Sequence, residues 1–204
     1  MNRINVEEKL KGKGLFVFTP REFCDVLGIP LNTGSVFISR NLKSGLFVKL
    51  RNNYYMLKDS HLPLYAIANK LYQPSYISLE SALSHYGVIP EAVYAVTSVN
   101  TKPTREFTTP KAVFSFQRIK KSVFGGYSPI SIEGHVVLLA DPEKALADYL
   151  YFVDLKKASL NDRLNLRGIR KNKLLKFISS FKRQSLKKMI KEIYAQQRQP
   201  RKIY

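Results

Sequence analysis

Between Thr19 and Leu57 the punctuation of the chain leaves room for one order of elements. Thr19 is followed three residues later by Glu22, the spacing at which a hydroxyl and a carboxylate cap a helix start reciprocally. Pro20 takes the first helical position, where a missing N–H costs nothing. Phe23, Val26 and Leu27 form an apolar stripe at helical spacing, and Gly28-Ile29-Pro30 ends the helix abruptly. A second helix is predicted from a cap at Asn32 or Thr33 to Lys43 or Ser44, closed by Gly45, with Ile38 and Leu42 facing the core. Two β-rich runs, Leu46 to Leu50 and Tyr54 to Leu57, then flank Arg51-Asn52-Asn53. Asparagine tolerates the left-handed backbone of a tight turn, so a hairpin is expected. A short helix with Val6 and Leu10 as its apolar positions, and the run Phe16-Val17-Phe18, precede all of this. Helix, helix, helix, hairpin is the order of a winged helix-turn-helix.

Beyond Pro63 a helical pattern (Leu64, Ile67, Ala68, Leu71) continues toward Gly87, with Ser78 capping a short helix through His85. Residues 93–139 are β-rich: Val93 to Val99, Arg105 to Thr108, Val113 to Arg118, and Ile130-Ser131-Ile132 pairing with His135 to Leu139 across Glu133-Gly134. Asp141-Pro142-Glu143 restarts a helix, with the aspartate as cap. From about Ser159 two amphipathic helices follow, one carrying Leu174, Ile178 and Phe181, the other Leu186, Met189, Ile190 and Ile193. The predicted class is α+β in three regions: a winged helix-turn-helix over 1–60, a mixed α/β domain over 61–155, and a basic helical extension over 156–204 packed on that domain.

Charge narrows the function. The chain has 34 Lys and Arg against 15 Asp and Glu, a net +19, and residues 156–204 alone carry +14 of it. A chain that repels itself this strongly usually meets a polyanion, and lysines concentrated in one stretch suit phosphates, which give affinity by counterion release without sequence information. The predicted second helix offers Thr33, Ser35, Val36, Ser39, Arg40 and Lys43 to solvent. Arg40 has the fork that matches guanine O6 and N7 in a major groove. Lys49, Arg51, Asn52 and Asn53 at the hairpin are placed for the DNA backbone or minor groove. Lys182, Arg183, Lys187, Lys188 and Lys191 line the outer faces of the last two helices. For each group the plain alternative is a solvated surface or a protein-interaction face, and composition leaves these open. A membrane-surface helix fits less well, because the chain has no Trp and its apolar stripes are narrow.

Enzyme chemistry finds little support. His61, His85 and His135 are scattered, no paired cysteines or metal-ligand spacing occurs, and Gly125-Gly126 is a turn rather than a phosphate cradle. Neither a catalytic residue nor a metal or cofactor is expected. Asp141, Glu143 and Asp148 with Lys144 have the composition of a nuclease's metal and lysine set, though a capped helix explains the first two more simply. Cys24, the single cysteine, is expected as a small buried hydrophobe and cannot form an intramolecular disulfide. With no signal-like start and a densest apolar run, Val136 to Ala140, of only strand length, a cytoplasmic protein with no membrane partner is expected.

An ordered set of segments resembles the AbiEi antitoxin family: Tyr76 to Gly87 (YISLESALSHYG), Val96-Thr97, Arg105-Glu106-Phe107, and Ala140 to Asp148 (ADPEKALAD), behind an N-terminal winged helix. The likeness spans about residues 15–155 and leaves the basic C-terminus outside. It implies a transcriptional regulator of a bacterial type IV toxin-antitoxin (abortive infection) system. Such a regulator binds double-stranded repeats in its own promoter for autoregulation and neutralises an AbiEii-like nucleotidyltransferase toxin, without a stable complex being required. Promoter recognition would then fall to Ser39, Arg40 and their helix neighbours, and antitoxicity to the domain from about Pro63. The alternatives are a module that sequesters a toxin directly, and a DNA nuclease. Ser78, Ser81, His85, Asp141, Pro142 and Glu143 within the resembling segments have structural roles available as caps and helix surface.

Overall fold

The computed structural model describes residues 2–198, with side chains as far as Ala195; Met1 and residues 199–204, the end of the predicted basic extension, lie outside the described residues. The chain is α+β, with eight helices and two sheets among those residues.

In the N-terminal unit, α1 (Arg3–Gly12) buries Val6 and Leu10. The capping box at Thr19 and Glu22 forms as the sequence predicts. Thr19 Oγ1 accepts from the Glu22 N–H at 3.3 Å, and the Glu22 carboxylate accepts from the Thr19 N–H at 2.8 Å. Helix α2 (Pro20–Leu27) then stops at Gly28, whose φ of 67° is left-handed, a conformation that costs a residue without Cβ little.

Helix α3 (Leu31–Lys43) departs from expectation at its start. Pro30 occupies the cap position with no side-chain hydrogen bond, and Asn32 and Thr33, the predicted caps, fall inside the first turn. Proline's fixed φ presets that turn, so no side-chain cap is needed to begin it. The core face also differs: Gly34, Ile38 and Asn41 are buried and Leu42 only half-buried. The reason is close approach to α2. A Cβ on Gly34 would lie 2.2 Å from Cys24 Sγ, so the two helices touch through a missing side chain. Asn41 satisfies its amide on the Phe37 carbonyl at 2.8 Å.

Three strands complete the unit in the order β1-β3-β2, all antiparallel: β1 (Val17–Phe18), β2 (Phe47–Arg51) and β3 (Tyr54–Leu57). Asn53 takes the left-handed turn position with φ 61°. Phe18, Phe23, Phe37 and Phe47 pack on one another beneath this sheet, with ring centroids 5.2 to 6.2 Å apart.

The middle of the chain builds one six-stranded mixed sheet, ordered β6-β7-β5-β4-β9-β8. Its strands are β4 (Ser75–Ile77), β5 (Ala95–Asn100), β6 (Arg105–Thr108), β7 (Val113–Arg118), β8 (Tyr127–Ile132) and β9 (His135–Ala140). The pairs β5/β7 and β4/β9 are parallel and the rest antiparallel. Strand β4 corrects the helical expectation for residues 63–87. It splits that stretch into α4 (Leu64–Leu71) and α5 (Leu79–His85), and its three buried residues are too few to show alternation. Because β4 is short, it pairs with β9 only at Ile77 and Leu139. The Asn69 side chain of α4 serves the part of β9 that β4 leaves unpaired, accepting from the Leu138 N–H at 2.6 Å.

Helix α6 (Pro142–Asp154) packs on α5, and α7 (Lys171–Ser180) and α8 (Gln184–Arg198) pack on α6. The predicted stripes hold: Leu174, Ile178, Leu186 and Ile190 are fully buried, and Phe181, just past α7, stacks on Tyr151 at 4.5 Å. The N-terminal unit joins this body by sharing core, since Val17, Leu50 and Met56 pack in the cluster of Ile67, Leu71 and Tyr76. Phe16 meets His135 edge-on at 5.8 Å, and the Glu22 carboxylate also takes an ion pair from Lys70. Among the described residues no helix is long and apolar enough to cross a membrane.

Candidate nucleic-acid interface

Helix α3 is held from behind by α2 and β2, which decides what it shows in front. With Gly34, Ile38 and Asn41 inward, the 3.6-residue repeat puts Thr33, Ser35, Val36, Ser39, Arg40 and Lys43 outward, and all six are exposed. Among the described residues none of their side chains is hydrogen-bonded or ion-paired. Leu31 and Val36, each about half exposed, add apolar area to the same surface. A helix with one arginine fork, three hydroxyls and a methyl-bearing side chain on its outer face has the donor, acceptor and apolar groups that base edges present in a major groove.

The hairpin divides its four predicted residues. Lys49, Asn52 and Asn53 are exposed. Arg51 is half-buried and points back into the protein: its Nε donates to the Leu71 carbonyl at 2.8 Å, and its guanidinium lies 3.6 Å from the centroid of Tyr54 and 5.4 Å from that of Phe107. Burial pushes its pKa down, aided by nearby Arg105 and opposed by Tyr54 and Tyr72. Arg51 thus anchors the hairpin to the six-stranded sheet, a role invisible in a turn sequence because both partners lie far along the chain.

The C-terminal cations divide in the same way. Arg183 is ion-paired with the buried carboxylate of Asp154, so it fastens the α7–α8 junction to α6. Lys182, Lys188 and Lys191 are exposed and Lys187 half-exposed; Lys188 lies 3.9 Å from Glu192.

The acidic set considered for metal chemistry is already occupied. Asp141 pairs with Lys173 at 2.8 Å rather than capping α6 with its side chain. Glu143 is buried and accepts from Arg170 Nε at 2.9 Å and its N–H at 3.2 Å, with Lys173 3.3 Å away. Burial alone would raise the Glu143 pKa, but these donors hold it at about 2. Asp148 is fully buried and accepts from Tyr76 and Ser78 at 2.9 Å each and from Lys144 at 2.5 Å, while Lys144 also donates to the Val123 carbonyl. Burial pushes the Asp148 carboxyl up, against the pull of those three donors. Ser78 therefore spends its hydroxyl on Asp148 instead of capping α5. Among the described residues no group of three His, Cys, Asp or Glu side chains is placed to hold a metal ion. The Lys144–Asp148 spacing of four residues was the one sequence sign of this pair; its burial was not legible.

No family model matches the chain, and no curated protein matches it.

Proposed function

We propose that this chain is an autoregulating, duplex-DNA-binding antitoxin of the AbiEi kind. In this reading residues 3–57 form a winged helix with α3 as its recognition helix, and the middle domain counters an AbiEii-like toxin. The observation that carries the DNA-binding part is the outer face of α3, where six polar, cationic or small apolar side chains stand exposed and unengaged on a rigidly backed helix beside a hairpin. The net charge of +19 supports a polyanionic partner. The antitoxin part is supported by the ordered likeness of residues 76–148. Arg40→Ala should remove the preference for duplexes selected from a random pool while leaving salt-sensitive binding to mixed-sequence DNA largely intact. Equal loss of both would overturn the recognition-helix assignment.

A second reading, direct sequestration of a toxin by protein contact, is favoured by the exposed Leu31 and Val36 on the same helix. Co-purification with the adjacent gene's product that resists nuclease treatment separates the two.

A further inference from the structure

The ground beside the hairpin is as basic as the hairpin itself. Tyr72, just past α4, closes the corner into which Arg51 packs. Its ring meets Phe107 and Phe116 edge-on at 5.7 and 5.3 Å, and its hydroxyl donates to the Pro103 carbonyl at 3.2 Å. The Lys102 ammonium lies 5.5 Å over that ring. Arg105 is in register with Phe116, so it shares a sheet face with Phe107, against which Arg51 rests. Arg118, two residues further along β7, is its diagonal neighbour on that face.

Lys102, Arg105 and Arg118 are all exposed, and among the described residues none belongs to an ion pair. The stretch that carries them is strongly basic: residues 92–132 hold six Lys and Arg and a single carboxylate, Glu106. Glu106 is in register with Ser115, on the opposite face of the sheet from Arg105. Like charges gathered on one sheet face repel, and a polyanion laid across them removes that cost. Lys120 and Lys121, both exposed, follow in sequence at a 3-10 turn (Lys121–Val123) that packs against α7.

We propose that Lys102, Arg105 and Arg118 form a phosphate-binding shelf that carries the duplex footprint from α3 and the hairpin onto the six-stranded sheet. Arg51, by fixing the hairpin to Phe107 and Leu71, sets the register between the two surfaces. The inference rests on the DNA-binding reading and deepens it: the region contacted is the sugar-phosphate backbone flanking the recognised bases, so it adds affinity and no sequence preference.

The test compares the full chain with the triple variant Lys102→Gln/Arg105→Gln/Arg118→Gln, measuring binding to a long mixed-sequence duplex across a salt series. Each lost phosphate contact flattens the log–log salt slope by about 0.9, so the triple variant should lose roughly 2 to 3 in slope while keeping native preference for selected duplexes. All three side chains are exposed, so the melting temperature should not fall; if it does, Arg105→Gln alone should still flatten the slope by about 0.9. A native slope in the folded variant overturns the shelf. If Arg40→Ala loses sequence preference in the same assay while the triple variant behaves as native, the shelf fails and the DNA-binding reading stands. Absence of salt-dependent duplex binding by the unmodified chain overturns both.

Discussion

Helices α3 and α8 both turn polar, cationic faces outward, but the two faces are built differently. On α3 the six outward side chains are unengaged and mostly short, and the backbone that carries them is fixed by the contact of Gly34 with Cys24. Along the C-terminal helices the cations are long, and part of their charge is spent inside the fold: Arg170 and Lys173 hold Glu143, and Arg183 holds Asp154. A surface that must recognise needs position, and short side chains on a rigidly seated helix provide it. A surface that must attract needs only uncancelled charge, which Lys182 and Lys191 supply wherever they swing. On the proposed DNA-binding reading, specificity and bulk affinity are therefore separable in this molecule.

The sharpest break of the comparison lies in how the C-terminal region is seated. Asp148→Ala would strand the Lys144 ammonium in the core, where it sits 5.0 Å from the Phe181 ring centroid, and should cost about 3–5 kcal/mol in urea unfolding. A loss under 1 kcal/mol would mean that the pair is not isolated from water. Next in size, Gly34→Ala should cost roughly 1–3 kcal/mol through overpacking. Adding Cys24→Ala should restore part of that, because the clash is with the Cys24 sulfur; no rescue in the double variant would place the strain elsewhere.

Acid should separate the two regions further. The Glu143 pKa is held at about 2, below its ordinary 4.5, so its contribution is full above about pH 4.5 and is lost as pH falls toward 2. With Arg170 largely exposed and screened, that contribution is about 1–2 kcal/mol. Amide exchange at pH 3 should therefore show protection falling in α7 more than in α3, and equal loss would contradict the proposed anchoring. Smallest of all, reversing Lys188 and Lys191 to Glu should move stability by under about 0.5 kcal/mol while flattening the salt dependence of duplex binding. An unchanged salt slope would return those lysines to ordinary solvation.

Local patterns carried far in this chain because helix starts, helix stops and tight turns are decided within a few residues. Thr19 with Glu22, Gly28, Gly45 and Asn53 each appear in the structure where the sequence placed them, and the strands Arg105–Thr108 and Val113–Arg118 keep their expected bounds. The misses share a cause. Strand β4 is three residues long and buried throughout, so no periodicity marks it, and its existence depends on β5 and β9, which come later in the chain. Asp141 and Ser78 looked like helix caps, but each has a stronger partner, Lys173 and Asp148, brought in from far away.

Two arginines, one on helix α3 and one on the hairpin, make the division plain. That Arg40 faces outward followed from sequence, because a helix of period 3.6 with Ile38 inside has its opposite face fixed whatever packs behind it. That Arg51 faces inward did not, because its partners are the Leu71 carbonyl and the Phe107 ring, and only the docking of the hairpin on the sheet brings them within reach. Sequence by itself determined the order of elements from Thr19 to Leu57, the outward set on α3 and the concentration of charge in the last quarter of the chain. Tertiary structure alone decided which cations are free and which are fasteners, since a charge's partner is chosen by contacts between distant segments and not by its neighbours along the chain.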